Sequence, residues 1–518
     1  MSDTTITFLV LAAVVLVFMW DKVPVAVVAV GTALSLWATG VLDLEQALAG
    51  FGDPTVVFIA SLFVVSEGLD ASGVTSWAGR QLARVGGSRT RLLIAMMLLT
   101  AVLTALISVN GSVAALLPVI VVTAVRLGRS ASQLLLPLAF GAHAGSLLAL
   151  TGTPVNVIVS DAADEAGVGR FGFFEFALVG VPLLAGTIAI VVLFGERLLP
   201  DRKARVISRD FSDHARTLVE QYGVGGTEPL LTRTAGAAEV VIPPRSELIG
   251  ERAFPGMTTE SGDLVVLAVQ RSGEAREEET RLEAGDTLLL QGAWDALEER
   301  LEDPSVVAVD PPALVRRRAV PLGRGARRTV AVLAGMVLLL VTGAVPPAVA
   351  GLLAAGAIVL LRVLTIEQAY RGIAWTTVIL VGGMIALSTA MIETGAAEQL
   401  ADGLVDVVGD AGPHALLLGL FVLTAALGQL ISNVATALIV IPVALSAALE
   451  MDVSPKPVLM AVAVSAAAAF LTPVATPANL MVMCPGGYRF GDYWKLGLPL
   501  LALFGVVAVL LVPVFWSF

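Results

Sequence analysis

Gly152-Thr153-Pro154-Val155-Asn156 returns 323 positions later as Ala475-Thr476-Pro477-Ala478-Asn479. Leu44-Glu45-Gln46-Ala47-Leu48-Ala49-Gly50 likewise returns 322 positions later as Ile366-Glu367-Gln368-Ala369-Tyr370-Arg371-Gly372. Pro24 and Pro346, Gly73 and Gly395, and Asn110 and Asn433 keep that spacing to within a residue, so the repeat spans the whole apolar part of the chain. Paired repeats in an apolar chain are a common build of membrane transporters, whose solute site lies near the midplane where the copies meet. The matched polar interruptions are therefore where function is expected.

The chain of 518 residues is 57% apolar and 14% charged, with a mean hydropathy of +0.87; an ordinary soluble domain carries roughly a quarter charged residues. This composition reads as an integral membrane protein. The first apolar run, Ile6 to Trp20, lacks a cleavage pattern and reads as a spanning helix rather than a removable leader. A net charge of -11 argues against a nucleic-acid partner. Cys484 is the sole cysteine, which excludes an intramolecular disulfide or a cysteine metal cluster, and its place in an apolar run predicts a buried side chain. With no nucleophile–base pair or metal-ligand cluster in view, neither an enzyme nor an organic cofactor is expected.

Apolar runs predict spans near 6–20, 23–41 and 54–72, then a hairpin with arms 91–107 and 113–125 about Ser108-Val109-Asn110-Gly111-Ser112. A long segment 133–161, interrupted from Leu150 to Asn156, and a span near 174–199 complete the first copy. The second copy runs 329–343, 346–364, 376–392, a hairpin 414–449 broken at Ser432-Asn433, a segment 457–484 broken between Thr472 and Asn479, and 496–516. If the hairpins are re-entrant, each half has five crossings, an odd number, and the halves are inverted. The bias of Lys and Arg to cytoplasmic loops agrees. Residues 42–53 and 393–412 carry acidic residues and no Lys or Arg, whereas Arg80, Arg84, Arg89, Arg91, Arg126 and Arg129 flank the first hairpin, and Arg316, Arg317, Arg318, Arg327 and Arg328 precede the second half. The expected fold is a polytopic α-helical membrane protein of two inverted repeats, 1–201 and 329–518, each with five crossings plus a re-entrant hairpin. It would sit in the cell (inner) membrane, among lipid, with both termini outside.

Residues 202–328 change character. Charged residues crowd in, and short alternating runs at Glu239 to Ile242, Leu264 to Val269 and Thr287 to Leu290 precede a helix-like Trp294 to Leu301. A turn at Gly273 and an exit linker at Pro311-Pro312 complete a small α+β domain, expected to be cytoplasmic.

Backbone that leaves the helical ladder at membrane depth is tolerated only where protein or a water-lined cavity satisfies it. Four such breaks here combine Ser, Thr, Asn, Gly and Pro. Carbonyls, hydroxyls and amides are neutral ligands that suit Na⁺, and the positive ends of half-helices suit an anion. No Lys or Arg stands in any break, so a bound anion would be neutralised by helix ends and co-bound cations. That is a physical reason for sodium coupling. Ordinary kinks packed by small side chains are the plainer reading of any single break.

Ser432-Asn433 with Thr436 and Pro442, the paired Thr-Pro-x-Asn loops, and Gly486 to Tyr493 leading to Gly497-Leu498-Pro499 together resemble the divalent-anion:sodium symporter family. The resemblance covers both membrane halves and is better in the second. It implies transport of sulfate or of di- or tricarboxylates with sodium, by a homodimer working through an elevator motion. It further implies an anion held by Asn110, Ser112, Thr153, Pro154, Asn433, Thr436, Thr476 and Pro477, and sodium held by Ser108, Asn110, Gly152, Asn156, Ser432, Asn433, Thr472 and Asn479. The first hairpin departs from the family pattern, because Ser108-Val109-Asn110-Gly111-Ser112 lacks the Ser-Asn-Thr order. Within 238–302, Glu239 to Gly250 and Ala284 to Gly292 resemble one copy of the C-terminal regulatory domain of TrkA-type potassium-transport proteins, which implies a small ligand of unknown identity at this domain.

His143 lies about two turns before the Thr151 break and is a candidate anion contact or proton carrier, against a hydrogen-bonded packing histidine. Cation/proton antiporters and arsenite-type carriers share this inverted plan, but their chemistry favours carboxylates, and the four breaks contain none. A membrane ligand sensor built around the soluble domain is the other alternative.

Overall fold

The computed structural model describes residues 2–518 except 21, 84–87, 127–128, 203–234, 260–261, 272–273, 277, 302, 311–324 and 409–410. The expectations for Arg84, Gly273, Pro311-Pro312 and Arg316 to Arg318 lie outside the described residues, as do the side chains of Arg80 and Arg126. Two compact units emerge: residues 1–69, 78–207 and 328–518 form one, and residues 70–77 with 208–327 the other.

Helices dominate. The first half contributes α1 (Asp3–Trp20), α2 (Val25–Ala38), α3 (Leu44–Ala49), α4 (Pro54–Ala71), α5 (Val74–Ala83), α6 (Arg89–Leu106), α7 (Val109–Arg126), α8 (Ser132–Gly145), α9 (Pro154–Glu165) and α10 (Ala177–Leu198). After α11 (Trp294–Arg300) come α12 (Ala326–Thr342), α13 (Pro347–Leu360), α14 (Ile366–Gly372), α15 (Trp375–Glu393), α16 (Ala396–Val408), α17 (Pro413–Gly428), α18 (Asn433–Glu450), α19 (Pro455–Ala467), α20 (Pro477–Gly486), α21 (Tyr493–Val506) and α22 (Val512–Phe515). Among the described residues, seven helical stretches are long and apolar enough to cross a membrane, and five shorter apolar helices accompany them. The protein is thus a multi-pass membrane protein.

The repeated residues have repeated local work. Pro24 and Pro346 cap α2 and α13 with nearly the same dihedrals, φ -54° and -56°. Gln46 and Gln368 close reciprocal capping boxes with Asp43 and Thr365, satisfying helix-end N–H groups that would otherwise be unpaired. Gly73 and Gly395 turn the chain at φ 77° and 71°, a region other residues enter only at a cost. Gly180 on α10 and Gly497 on α21 let those helices abut unwound backbone: a Cβ would stand 2.0 Å from Leu147 O in one case and 2.3 Å from Phe470 O in the other.

Packing crosses the repeat. Helix α9 lies against α18 and α19 of the second half, and α20 lies against α7 and α8 of the first. Cys484, expected to be buried, is exposed. The reason is helical phase: α20 buries Ala478, Asn479, Val482 and Gly486, and Cys484 falls on the other face.

The second unit holds an antiparallel sheet of β1 (Ala235–Val241), β3 (Leu264–Arg271), β4 (Glu274–Arg276), β6 (Thr287–Ala293) and β7 (Val307–Ala308), in the order β4-β3-β6-β1-β7. A ribbon of β2 (Arg252–Ala253) and β5 (Thr280–Arg281) adjoins it in sequence. Val240, Val266, Val269, Leu288 and Leu290 pack with Trp294 and Leu297 of α11 into one core. Beside it Asp286, with a side chain only 1% exposed, accepts both arms of the Arg271 guanidinium at 2.8 Å. Burial pushes the Asp286 carboxyl up, but the Arg271 pair and the Glu283 N–H outweigh it and hold the carboxyl below its ordinary value. A carboxyl depressed in the folded state gives stability that is present above its unfolded pKa and lost as pH falls through the folded one. Acidification below about pH 4 should therefore loosen β3 and β6. Hydrogen exchange of peptides 264–271 and 287–293 in the full chain checks this: Asp286→Asn should remove most of the acid dependence, and an unchanged dependence would place its source elsewhere.

Candidate functional site

The four breaks are built from caps and prolines. Ser432 accepts the Ala435 N–H and Ser108 accepts the Gly111 N–H at 3.1 Å, which starts α18 and α7 at the two hairpin tips. Pro154 and Pro477 open α9 and α20 from extended Thr153 and Thr476, at φ -154° and -146°. Four helix N-termini thus fall at the breaks, where unpaired N–H groups and the helix dipole favour negative charge.

Asn156 and Asn479 hold the unwound loops by the same device. Asn156 Nδ2 donates to Ser146 O at 2.8 Å and Ala149 O at 2.9 Å, and Asn479 Nδ2 donates to Ala469 O at 2.8 Å and Thr472 O at 3.0 Å. Every partner is displaced by the same 323 positions. Since carbonyls only accept, both amides are fixed with their nitrogen toward the loop and their oxygen away from it. Asn156 Oδ1 is then buried without a hydrogen-bond partner, as are Asn433 Oδ1 and Thr436 Oγ1 at the second hairpin tip. A fourth such atom, Thr187 Oγ1, lies on α10, away from the breaks in sequence. Buried acceptors are almost always paired, so three unpaired oxygens at expected site residues mark places where a ligand completes the structure.

The tips are unlike one another. At the first, Ser112 shares a hydrogen bond of 2.5 Å with Thr104 and also donates to Val109 O, and Asn110 is exposed. At the second, Thr436 Oγ1 is buried and has no hydrogen-bond partner. Thr472 donates to Gln429 O at 3.2 Å. Gly152 is needed where it stands, because a Cβ would lie 2.2 Å from Ser146 O. The Thr153 side chain makes no cap hydrogen bond, and its carbonyl accepts the Asn156 N–H at 3.2 Å.

His143 was expected near its own half's Thr151 break. Instead its Nε2 lies 3.2 Å from both Asn479 Oδ1 and Thr476 Oγ1 of the second half, with the ring edge-on to Phe470 at 5.8 Å. Thr151 turns elsewhere and donates to Ala105 O at 2.7 Å, stitching the first loop to its hairpin. In the second half Gln429 does that work, donating to Ala468 O at 3.1 Å and accepting the Leu471 N–H at 2.9 Å. Gln429 and Tyr493, whose hydroxyl donates to Asn479 O at 2.7 Å, were missed by sequence reasoning. A lone glutamine at depth in the apolar run 414–431 was the available signal for the first.

The apolar helices, the neutral broken backbone and the oxygen-lined tips define a membrane transporter. A profile of the citrate transporter family matches residues 15–438 and 410–518, and the chain belongs to that family. The uncharacterized transporter YfbS of Escherichia coli (strain K12) is 31% identical over 98% of this chain and 98% of its own length. Sodium/sulfate cotransporter 2 of Chlamydomonas reinhardtii is 27% identical over 45% of this chain and 27% of its own. The crystal structure of the Alcanivorax borkumensis YdaH transporter shares the fold, with a TM-score of 0.50 at 15% identity over 97% of this chain and 99% of that one. These matches support the resemblance to divalent-anion:sodium symporters, and family and fold are those of a transporter rather than an enzyme.

Proposed function

We propose that this protein is a secondary active transporter coupling sodium to the symport of a small divalent anion, sulfate or a di- or tricarboxylate. The observation that carries this reading is the set of unpaired buried oxygens at Asn156, Asn433 and Thr436, set among helix N-termini with no cationic or acidic side chain in any break. Neutral oxygens suit Na⁺, and helix ends together with the bound cation suit the anion. The family description and the sodium/sulfate relative point the same way.

Within this reading the halves are inverted repeats with re-entrant hairpins, both termini are outside, and the hairpins and broken helices move as an elevator in a homodimer. The residues between the halves form a cytoplasmic TrkA-C-like domain that regulates by preferring one carrier state, since a ligand shifts an equilibrium only through differential affinity. The test is uptake of labelled sulfate and citrate into liposomes holding the purified chain, under an inward sodium gradient or with choline instead. A second preparation replaces about residues 205–315 by a flexible linker. Sodium-driven uptake in both, with altered regulation in the second, is expected. Equal uptake in sodium and choline would remove the coupling; loss of uptake in a folded shortened protein would make the insert part of the transport machinery.

A further inference from the structure

The two Thr-Pro-x-Asn loops share sequence, dihedrals and the amide clamp, so on repeat symmetry alone both asparagine oxygens should serve a cation equally. They are not equal. Asn156 Oδ1 is unpartnered, whereas Asn479 Oδ1 lies 3.2 Å from His143 Nε2. The position matched to His143 at the 323-residue offset is Ala466, which brings no polar group to Asn156. Because both N–H groups of Asn479 are spent on Ala469 O and Thr472 O, its oxygen can only accept. His143 must then carry hydrogen on Nε2, whether the ring is neutral or charged. Packing against Phe470, which itself sits edge-on to Phe140 at 5.0 Å, keeps the ring aimed.

The same logic fixes Thr476. Its oxygen accepts the Asn479 N–H at 3.3 Å and faces His143 Nε2–H at 3.2 Å, which leaves the hydroxyl hydrogen as a donor. Thr153, its counterpart, makes no side-chain cap bond. We propose that His143 is a positioning residue that makes the two loops inequivalent. It closes Asn479 to a cation and turns the second loop into the donor side of the anion site, so that only the first loop offers its asparagine oxygen to sodium. This inference rests on the sodium-coupled reading and deepens it: the carrier moves one sodium fewer per anion than its repeat symmetry would provide.

The experiment measures the sodium-to-anion ratio by the gradient that just cancels net anion flux in liposomes, for the unaltered protein, His143→Ala and His143→Gln. Removing the ring frees Asn479 Oδ1, so His143→Ala should couple one further sodium per anion, with a steeper sodium dependence of uptake. His143→Gln keeps an N–H donor toward Asn479 and should retain the original ratio. Should His143→Ala fail to fold, His143→Asn, whose amide is too short to reach Asn479, replaces it with the same expectation. Sodium-driven uptake with an unchanged ratio in the donor-free variant overturns the assignment alone. Uptake of the unaltered protein that ignores sodium overturns the coupling and this assignment with it.

Discussion

Asn433→Ala should weaken sodium binding about ten- to hundredfold, the equivalent of the roughly 1.5–3 kcal/mol that a contact to a charged group contributes. The oxygen it removes is buried and unpartnered in the protein, so its loss cannot be explained by a broken internal hydrogen bond. Through linkage, anion affinity in sodium should fall as well, and the effect of sodium on anion binding should equal that of anion on sodium binding. Thr187→Val is the matched control. It also deletes a buried unpaired oxygen, but one on α10 away from the breaks in sequence, and it should leave both affinities unchanged and stability unharmed. Calorimetric titration in sodium and in choline would decide: if the two variants behave alike, the unpaired oxygens at the hairpin tip are packing defects and hold no ion.

Gly497→Ala and Gly180→Ala should each abolish transport, by overpacking at a place that cannot yield. The added methyl would stand 2.3 Å from Phe470 O or 2.0 Å from Leu147 O, and those carbonyls belong to the unwound loops themselves. Overpacking a well-filled interior costs typically 1–3 kcal/mol and displaces backbone. Here the displaced backbone is that which Asn156 and Asn479 hold in place. Gly356→Ala gives the contrast: it lies in α13 with nothing within 4 Å of the new methyl, and should raise stability by about 0.5–1 kcal/mol through helix propensity. Thermal unfolding in detergent, paired with uptake, separates the cases. Near-normal uptake in Gly497→Ala would mean that α21 can draw back from the break at little cost.

Local chemistry made much of this legible in the chain. Pro154, Pro477, Ser108 and Ser432 start helices by rules that act over three or four residues, so the positions of the breaks followed from sequence. The use of Asn156 and Asn479 did not, because a sequence specifies an amide without saying which end faces the backbone. His143 shows the same limit at longer range, since its partners lie 333 and 336 residues away. Cys484 failed for a different reason. In a membrane an apolar run need not be covered by protein, so hydrophobicity predicted a buried thiol where helical phase leaves it exposed.

The exchange of helices between halves also sets a schedule for manufacture. Helix α9 is finished early, yet α18 and α19, against which it packs, begin roughly 270 residues later, which at about 5–20 residues per second is tens of seconds of translation. Throughout that interval the face of α9 that packs on α18 and α19 awaits its cover, while the chain of the second unit is being made. A ribosome that stalls after the insert would therefore leave no half-size carrier, only an open surface for quality-control proteases to find.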